Sequence, residues 1–210
     1  VKALAGSLLL LLEPLFGSVS NRPLLRYSLP SFKVPNGILE PAKDVSSQAP
    51  RRDMLLLAAR GCVLALHACL CPDTTNPAQN SRSSNSHTSG GGGGHAHAFS
   101  GNNRANVAPL PLRMLVDLSL AILAKDAALT IKVPTRNAVS HNSLLFVLPE
   151  VHLLGLQLLS STLSAARRHA LAHAAPIADA VSLTLTRTAE DGPEALRCHR
   201  LRCAAYELSS

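Results

Sequence analysis

The chain has 210 residues, of which 47% are hydrophobic, 16% are charged and 3% are aromatic, with no tryptophan. This length suffices for one domain or two small ones, but the charged fraction lies below the roughly 25% of ordinary soluble domains. The formal net charge of +7 favours an anionic partner, although the basic residues are scattered, with no run longer than two arginines.

The first 72 residues are predicted to be poorly ordered, with apolar helical segments. The opening run, VKALAGSLLLLLEPLFGSVS, resembles a signal-peptide core, but Glu13 and Pro14 interrupt it and it is too short to span a bilayer. A truncated signal or transit segment and a short buried helix both remain open, and the sequence favours the helix. Repeated prolines between residues 17 and 53 prevent a long helix there. Asp53 is expected to cap a helix over 54–71 that ends before Pro72. No transmembrane span is predicted.

Residues 73–106 are rich in Ser, Asn, Gly and His and are predicted to form a low-complexity linker. Such polar residues bury too little apolar area to offset the entropy lost on ordering. The predicted organisation is therefore a poorly ordered region over 1–72, a linker over 73–106 and a helix-rich α+β domain over 107–210.

The C-terminal part carries the clearest periodicity. Helices are predicted over residues 112–129, 149–176 and 193–208, with Pro149 as a favourable first helical residue. Short strands are predicted in LTIKVP and AVSLTLTRT, while SLLFVLP is either a buried strand or the approach to the next helix. The strongest strand pattern is an alternation of Val181, Leu183 and Leu185 with Ser182, Thr184 and Thr186. The predicted fold class is mainly α with a few short strands and a poorly ordered N-terminal half.

The densest chemistry lies in CVLALHACLC, which contains Cys62, His67, Cys69 and Cys71. On a helix these side chains diverge, because Cys62 and Cys69 share one face while His67 and Cys71 share another. Structural zinc sites place paired cysteines two to four residues apart on a turn, a spacing this stretch lacks. We therefore predict an apolar helix with buried thiols. The odd total of five cysteines argues against a closed disulfide framework and favours a reducing, intracellular compartment.

Two further stretches carry potential metal ligands. RCHRLRC contains Cys198, His199 and Cys203, and it could complete a site only if its helix met the first cysteine cluster. HALAH places His169 and His173 one helical turn apart, but Ala170 stands where a zincin-type motif needs glutamate. We predict an arginine-rich amphipathic helix for the first stretch and a solvated helix face for the second.

The predicted function is that of a small basic protein without catalytic activity. No spacing matches a nucleophilic triad, and no catalytic, metal-binding or cofactor-binding residue is assigned. No cofactor is predicted. One alternative is a module that binds RNA or another polyanion through the arginine-bearing helices over 150–175 and 193–208. The other is a thiol or zinc-binding protein that uses the two cysteine clusters.

The composition also fits a reading frame that was never selected as protein. Leu, Ser and Arg, the three residue types with six codons each, make up more than a third of the chain, and Arg outnumbers Lys three to one. An antisense or shifted reading of GC-rich DNA would produce this composition together with accidental periodicity. Local and global signals agree in foldable sequences, and the N-terminal half lacks that agreement. An unselected frame with no biochemical function therefore belongs to the leading hypothesis.

Overall fold

The computed structural model describes residues 1–16, 27, 29–32, 39, 48–71, 110–125, 141–189 and 195–209. These residues form six α-helices and one 3-10 segment: α1 Lys2–Phe16, α2 Gln48–Leu70, α3 Leu112–Leu123, α4 His141–Ala166, the bend segment Arg167–His173, α5 Ala174–Thr188 and α6 Ala195–Ser209. They contain no strand. The described parts of Val1–Cys71 and Pro111–Ser210 belong to one compact unit.

The central element is α4, which packs against α2, α3 and α6. Every residue from 151 to 156 is buried, as expected of a helix that is apolar on all sides. Gly155 permits the close approach of α3, because a Cβ atom there would lie 3.0 Å from Cγ2 of Ile122 and 3.2 Å from Cδ2 of Leu123. A larger residue at this position would therefore push α3 away from the core.

A cluster of buried aliphatic side chains joins the C-terminal helices. It takes side chains from α3, α4, α5 and α6: Val116, Leu123, Leu153, Leu156, Leu159, Ile177, Val181, Leu201 and Ala205. Each fully buried leucine or valine contributes about 1.5–3 kcal/mol relative to its exposed state. The core thus consists of branched aliphatic residues, in keeping with the low aromatic content.

The N-terminal half contains two packed helices, α1 and α2, where the sequence predicted apolar helical segments in a poorly ordered region. Poor order in the rest of residues 1–72 stays a prediction. The buried apolar side chains of α1 lie at helical spacing, at Ala5, Leu8, Leu11, Leu12 and Leu15. A matching face of α2 is buried at Leu55, Ala59, Val63, Leu66 and Leu70. Helix α1 packs against α2, and α2 packs against α4. These partners lie far away in sequence, which is why local composition gave no sign of them.

The strand predicted around AVSLTLTRT is also wrong, because these residues belong to α5. The buried side chains of α5 follow helical spacing, at Ile177, Val181, Thr184 and Thr188. The Thr184 hydroxyl donates to the carbonyl of Ala180 at 2.8 Å, and the Thr188 hydroxyl donates to that of Thr184 at 2.9 Å. Each buried hydroxyl is therefore satisfied by the preceding turn, which lets β-branched polar residues lie in a helix.

The predicted start of α4 is wrong as well. The helix begins at His141, so SLLFVLP is helical and Pro149 lies inside the helix rather than at its first position. Proline has no N–H to donate to the carbonyl four residues earlier, at Leu145. Leu145 is exposed, so water can solvate that carbonyl.

The helix predicted to continue to Pro176 instead stops at Ala166. Arg167 adopts a left-handed backbone conformation with φ of 49°, which ends α4 and starts the 3-10 turns of the bend segment. Pro176 lies in the first turn of α5, where a backbone N–H has no intrahelical partner to lose. The break therefore falls about ten residues before the proline that was expected to cause it.

Helices are present at the three other places where the sequence predicts them, near 54–71, 112–129 and 193–208. Because α2 already begins at Gln48, Asp53 does not cap it and instead pairs with Arg52 at 2.8 Å. Helix α3 ends at Leu123, earlier than predicted. The strand predicted in LTIKVP and the predicted linker lie outside the described residues.

Candidate functional site

The thiols of α2 and the residue after it lie in different environments. Cys62 and Cys71 are half-buried, whereas Cys69 is exposed. Burial raises the pKa of the Cys62 thiol, so this side chain carries less thiolate at neutral pH than an exposed cysteine. Thiolate is the form that attacks electrophiles and binds metals, which makes Cys62 a poor candidate for either role.

His67 and Cys71 do lie on one flank, as their spacing predicts, and both contact Ser161 of α4. The His67 Nδ1 atom lies 2.9 Å from the Ser161 hydroxyl, and the Cys71 Sγ atom lies 3.9 Å from the Ser161 carbonyl. The Ser161 hydroxyl donates its proton to the carbonyl of Gln157 at 2.8 Å. A hydroxyl has one proton, and Ser161 gives that proton to Gln157. The hydrogen bond between His67 and Ser161 must therefore use a proton on Nδ1, so the histidine donates to the serine. A catalytic serine requires the opposite direction, so this contact joins α2 to α4 and does not activate Ser161.

The two thiols of α6 also differ in exposure, with Cys198 half-buried and Cys203 exposed. The Cys203 Sγ atom lies 3.8 Å from Nδ1 and 3.9 Å from Nε2 of His199, which precedes it by one turn. The nearly equal distances show that the sulfur does not select one ring nitrogen. The contact is a local one within α6.

The structure does not bring the two cysteine clusters into a shared metal site. Among the described residues, no three His, Cys, Asp or Glu side chains converge in a group able to hold a metal ion. The expectation that none of Cys62, Cys69, Cys71, Cys198 and Cys203 binds metal stays a prediction.

The bend segment changes the relation between His169 and His173. In an α-helix, residues four apart lie on one face, but a 3-10 helix has three residues per turn, so residues four apart are rotated by about 120°. His169 is exposed and His173 is half-buried. The shared imidazole face that the spacing predicts is therefore lost.

The bend segment presents an exposed basic surface. Arg167, Arg168 and His169 are consecutive and all exposed. Arg52 pairs with Asp53 and Arg60 pairs with Glu150, whereas no carboxylate of the described residues pairs with Arg167 or Arg168. The nearest acidic residue in this part of the sequence is Asp179, the sole one between 151 and 189.

Other arginines serve the fold. An Nη atom of Arg187 donates to the carbonyl of Leu123 at 3.4 Å, and an Nη atom of Arg202 donates to the carbonyl of Thr188. These carbonyls end α3 and α5, where intrahelical donors are lacking and the helix dipole is negative. Sequence inspection counts these two arginines as available charge, but the structure uses them to cap helices.

An apolar cleft of about 370 Å³ lies beside the bend segment. The bend segment, α5 and the ends of α4 and α6 line it, with Leu163, Ala170, Ile177, Val181, Leu185 and Leu208 on its walls. Its size falls in the range of small-ligand pockets. Sequence analysis missed this cleft because its walls come from segments more than 40 residues apart.

A second missed feature is the lysine that follows α3. Burial lowers the pKa of Lys125 from its usual 10.5 to about 8. The carbonyl of Lys125 lies 3.0 Å from the Nε2 atom of His152, and because a carbonyl only accepts, this nitrogen carries the proton. A lone lysine in LAKDA offers no sequence signal of its burial.

Within the part of the chain that the structure describes, two helical stretches are long and apolar enough to cross a membrane by length and composition alone: Gln48–Leu70 and Leu145–Thr188. Buried core helices meet the same criterion, and 61% of the tested window in the second stretch is buried. For the first stretch the buried share is only 22%.

Comparison with protein-family models, with curated proteins and with solved structures finds no match to this chain.

Proposed function

We propose that this chain binds single-stranded RNA through the bend segment between α4 and α5. The observation that carries the proposal is the pair of consecutive exposed arginines, Arg167 and Arg168. Neither takes part in the ion pairs of the described residues, so their charge is available to a ligand. Arg187 and Arg202, by contrast, already donate to carbonyls at helix ends.

Arginine suits the phosphates of a nucleic acid. Its planar guanidinium stays charged at any physiological pH and donates two parallel hydrogen bonds to a phosphate. The left-handed conformation at Arg167 turns the chain there, so that the two side chains leave a bend rather than the side of a straight helix.

The apolar cleft favours a single strand over a duplex. Unpaired bases can leave the stack and enter a pocket, whereas duplex bases cannot. The cleft begins at Ala170, three residues after Arg167, so phosphates at the arginines would place a base near it. Phosphate binding and base burial would then act on one ligand.

The test is affinity for an oligouridine as a function of salt, with the full chain. Replacing both Arg167 and Arg168 with alanine is expected to weaken binding by about tenfold or more at low salt. The slope of log affinity against log salt is expected to fall by about 1.4, because each phosphate contact to a single strand contributes about 0.7. The matched control replaces Lys2 and Arg113, two exposed cations away from the bend, and is expected to leave that slope nearly unchanged.

A second variant tests the cleft. Ala178 is exposed and lines it, so Ala178→Leu should narrow the space without disturbing the core. We expect weaker binding of oligouridine and unchanged binding of heparin, a polyanion without bases. Equal salt slopes for the arginine variant and its charge-matched control would contradict RNA binding at the bend. Equal losses for both ligands in Ala178→Leu would contradict base burial.

The second candidate is that the frame was never selected and has no biochemical function. Three local features favour it, because selected sequences usually avoid such conflicts. Arg167 is a non-glycine residue in a left-handed conformation, Pro149 lies inside α4, and the Nε atom of Arg202 is buried without a hydrogen-bond partner among the described residues.

The coding DNA separates these candidates. A selected frame is expected to show three-base periodicity, with its synonymous third positions most biased. For an unselected frame, that periodicity belongs to another frame, whose translation has ordinary charge and aromatic content. A strong coding signal in this frame and none in the other five would eliminate the second candidate.

A further inference from the structure

Helix α2 carries a second apolar face on the side away from the core. Leu57 is 69% exposed, Leu64 is 68% exposed and Met54 is 50% exposed. We call the following set of exposed residues the outer face of α2: Met54, Leu57, Gly61, Leu64 and Ala68. Exposed apolar side chains in one continuous row usually mark an interaction surface rather than scattered surface residues.

The outer face has the spacing of a helix–helix seam. Its members recur three and four residues apart, the heptad pattern of positions that meet a partner helix in a coiled coil. The buried residues of α2, from Leu55 to Leu70, lie on the opposite side of the helix. One side of α2 therefore packs on α1 and α4, and the other side has the form of a second seam.

We propose that the outer face of α2 binds the same face of a second copy of this chain, in antiparallel orientation. In this register Leu64 lies against the partner's Gly61, and Leu57 lies against the partner's Ala68. Because the interface has a two-fold axis, every contact occurs twice.

The order of large and small residues along the helix supports this partner and this orientation. In the antiparallel register, each leucine of the outer face meets a small residue, so the two surfaces interlock. In a parallel pair each residue would face its own copy, so that leucine would lie against leucine and the two copies of Gly61 would leave an empty space. A Cβ atom added at Gly61 would meet nothing within 4 Å in this chain, so a partner's leucine has room there.

The flanks of the seam allow close approach on one side. Ala58 and Ala65 border the outer face there, and both are small and half-buried. At 1.5 Å per residue the seam is about 22 Å long, and a helix is about 10 Å wide, so the seam covers far less than the roughly 800 Å² per partner of a standard interface. We therefore expect a weak dimer with a dissociation constant in the micromolar range.

The test is sedimentation equilibrium of the full chain across a range of concentrations. Leu64→Glu is expected to weaken the dimer about a hundredfold, since each dimer loses two buried leucines. The control is Leu183→Glu on α5, which places the same charge at a leucine that is 45% exposed, outside α2. Circular dichroism of both variants shows whether helix content is retained. A wild-type chain that is monomeric at all concentrations would overturn the proposal.

The variant Gly61→Leu distinguishes two possible partners of the outer face, a second copy of the chain and a membrane. In the dimer the new side chain collides with the partner's Leu64, so association should be lost while the monomer stays folded. On a lipid surface the added apolar group would strengthen binding. Increased cosedimentation of Gly61→Leu with anionic vesicles, together with unchanged monomer mass, would overturn the dimer in favour of a membrane surface.

Cross-linking tests the orientation. In a chain whose five cysteines are replaced by serine, the double variant Leu57→Cys, Ala68→Cys should be joined to a second copy by a short bis-maleimide, because residue 57 lies against the partner's residue 68. Ala68→Cys alone should give little product, because the antiparallel register keeps the two copies of residue 68 apart. Efficient cross-linking through Ala68→Cys alone would contradict the antiparallel arrangement.

Discussion

At the scale of single residues, charge in the sequence and charge available to a ligand are different quantities. Arg187 and Arg202 donate to carbonyls at helix ends, and Arg60 pairs with Glu150. Their partners lie 64, 14 and 90 residues away along the chain, so no sequence window contains the first or the last pair. The sequence predicted that arginine-bearing helices are the basic surface, and it could not distinguish the exposed arginines of the bend from those that cap helices.

Lys125 provides a test of burial at this scale. Its pKa is lowered to about 8, while an unfolded chain keeps the ordinary value of 10.5. Between these pH values the unfolded chain binds more protons than the folded one, so the free energy of unfolding should rise with pH across this window. Lys125→Met is expected to abolish that rise in urea titrations at pH 7, 8, 9 and 10.

The control for this titration is Lys2→Met, which removes an exposed lysine and should leave the pH profile unchanged. All chains carry Cys62→Ala, because burial raises the pKa of the Cys62 thiol and would lower stability over part of the same range. Parallel pH profiles for Lys125→Met and its parent would show that the ammonium group is solvated in the folded chain.

At the scale of elements, helix existence was predictable and helix ends were not. The apolar spacing near 54–71, 112–129 and 193–208 predicts helices that are present. The strand prediction for α5 failed because alternation of leucine with threonine is also compatible with a helix when the hydroxyls bond to the preceding turn. Over so short a stretch, the two-residue period of a strand and the 3.6-residue period of a helix fit the apolar pattern equally well. The packing of α5 on α6 decides in favour of the helix.

The break between α4 and α5 provides a test at this scale. Arg167 holds a left-handed conformation that costs a non-glycine residue about 1–2 kcal/mol, and glycine adopts it without that cost. Arg167→Gly is therefore expected to raise the free energy of unfolding by up to about 1 kcal/mol, after the greater entropy of the unfolded glycine is subtracted.

Arg168→Gly is the matched control, since Arg168 is exposed and has no left-handed angle. It should lower the free energy of unfolding by about 0.5–1 kcal/mol, as glycine does in regular structure. Urea denaturation measures both variants. Destabilisation by Arg167→Gly equal to that by Arg168→Gly would mean that α4 continues through residue 167 without a break.

At the scale of the whole molecule, the N-terminal helices and the C-terminal helices belong to one compact unit. The sequence offered no sign of this, because the contacts join helices that are distant along the chain. The buried residues of α1 pack against α2, and α2 packs against α4. The candidate site depends on the same long-range packing. The bend segment and its cleft exist only where the ends of α4 and α6 meet α5.

The measurement that tests this account most directly is hydrogen–deuterium exchange of the full chain with and without oligouridine. Without RNA, we predict slow exchange in the packed parts of α1, α2 and α4, because their amides are buried in one cooperative unit. With RNA, we predict added protection in the peptides that cover 166–173 and the adjoining start of α5. Fast exchange throughout α1 and α2, or RNA-dependent protection confined to segments other than the bend, would contradict the account.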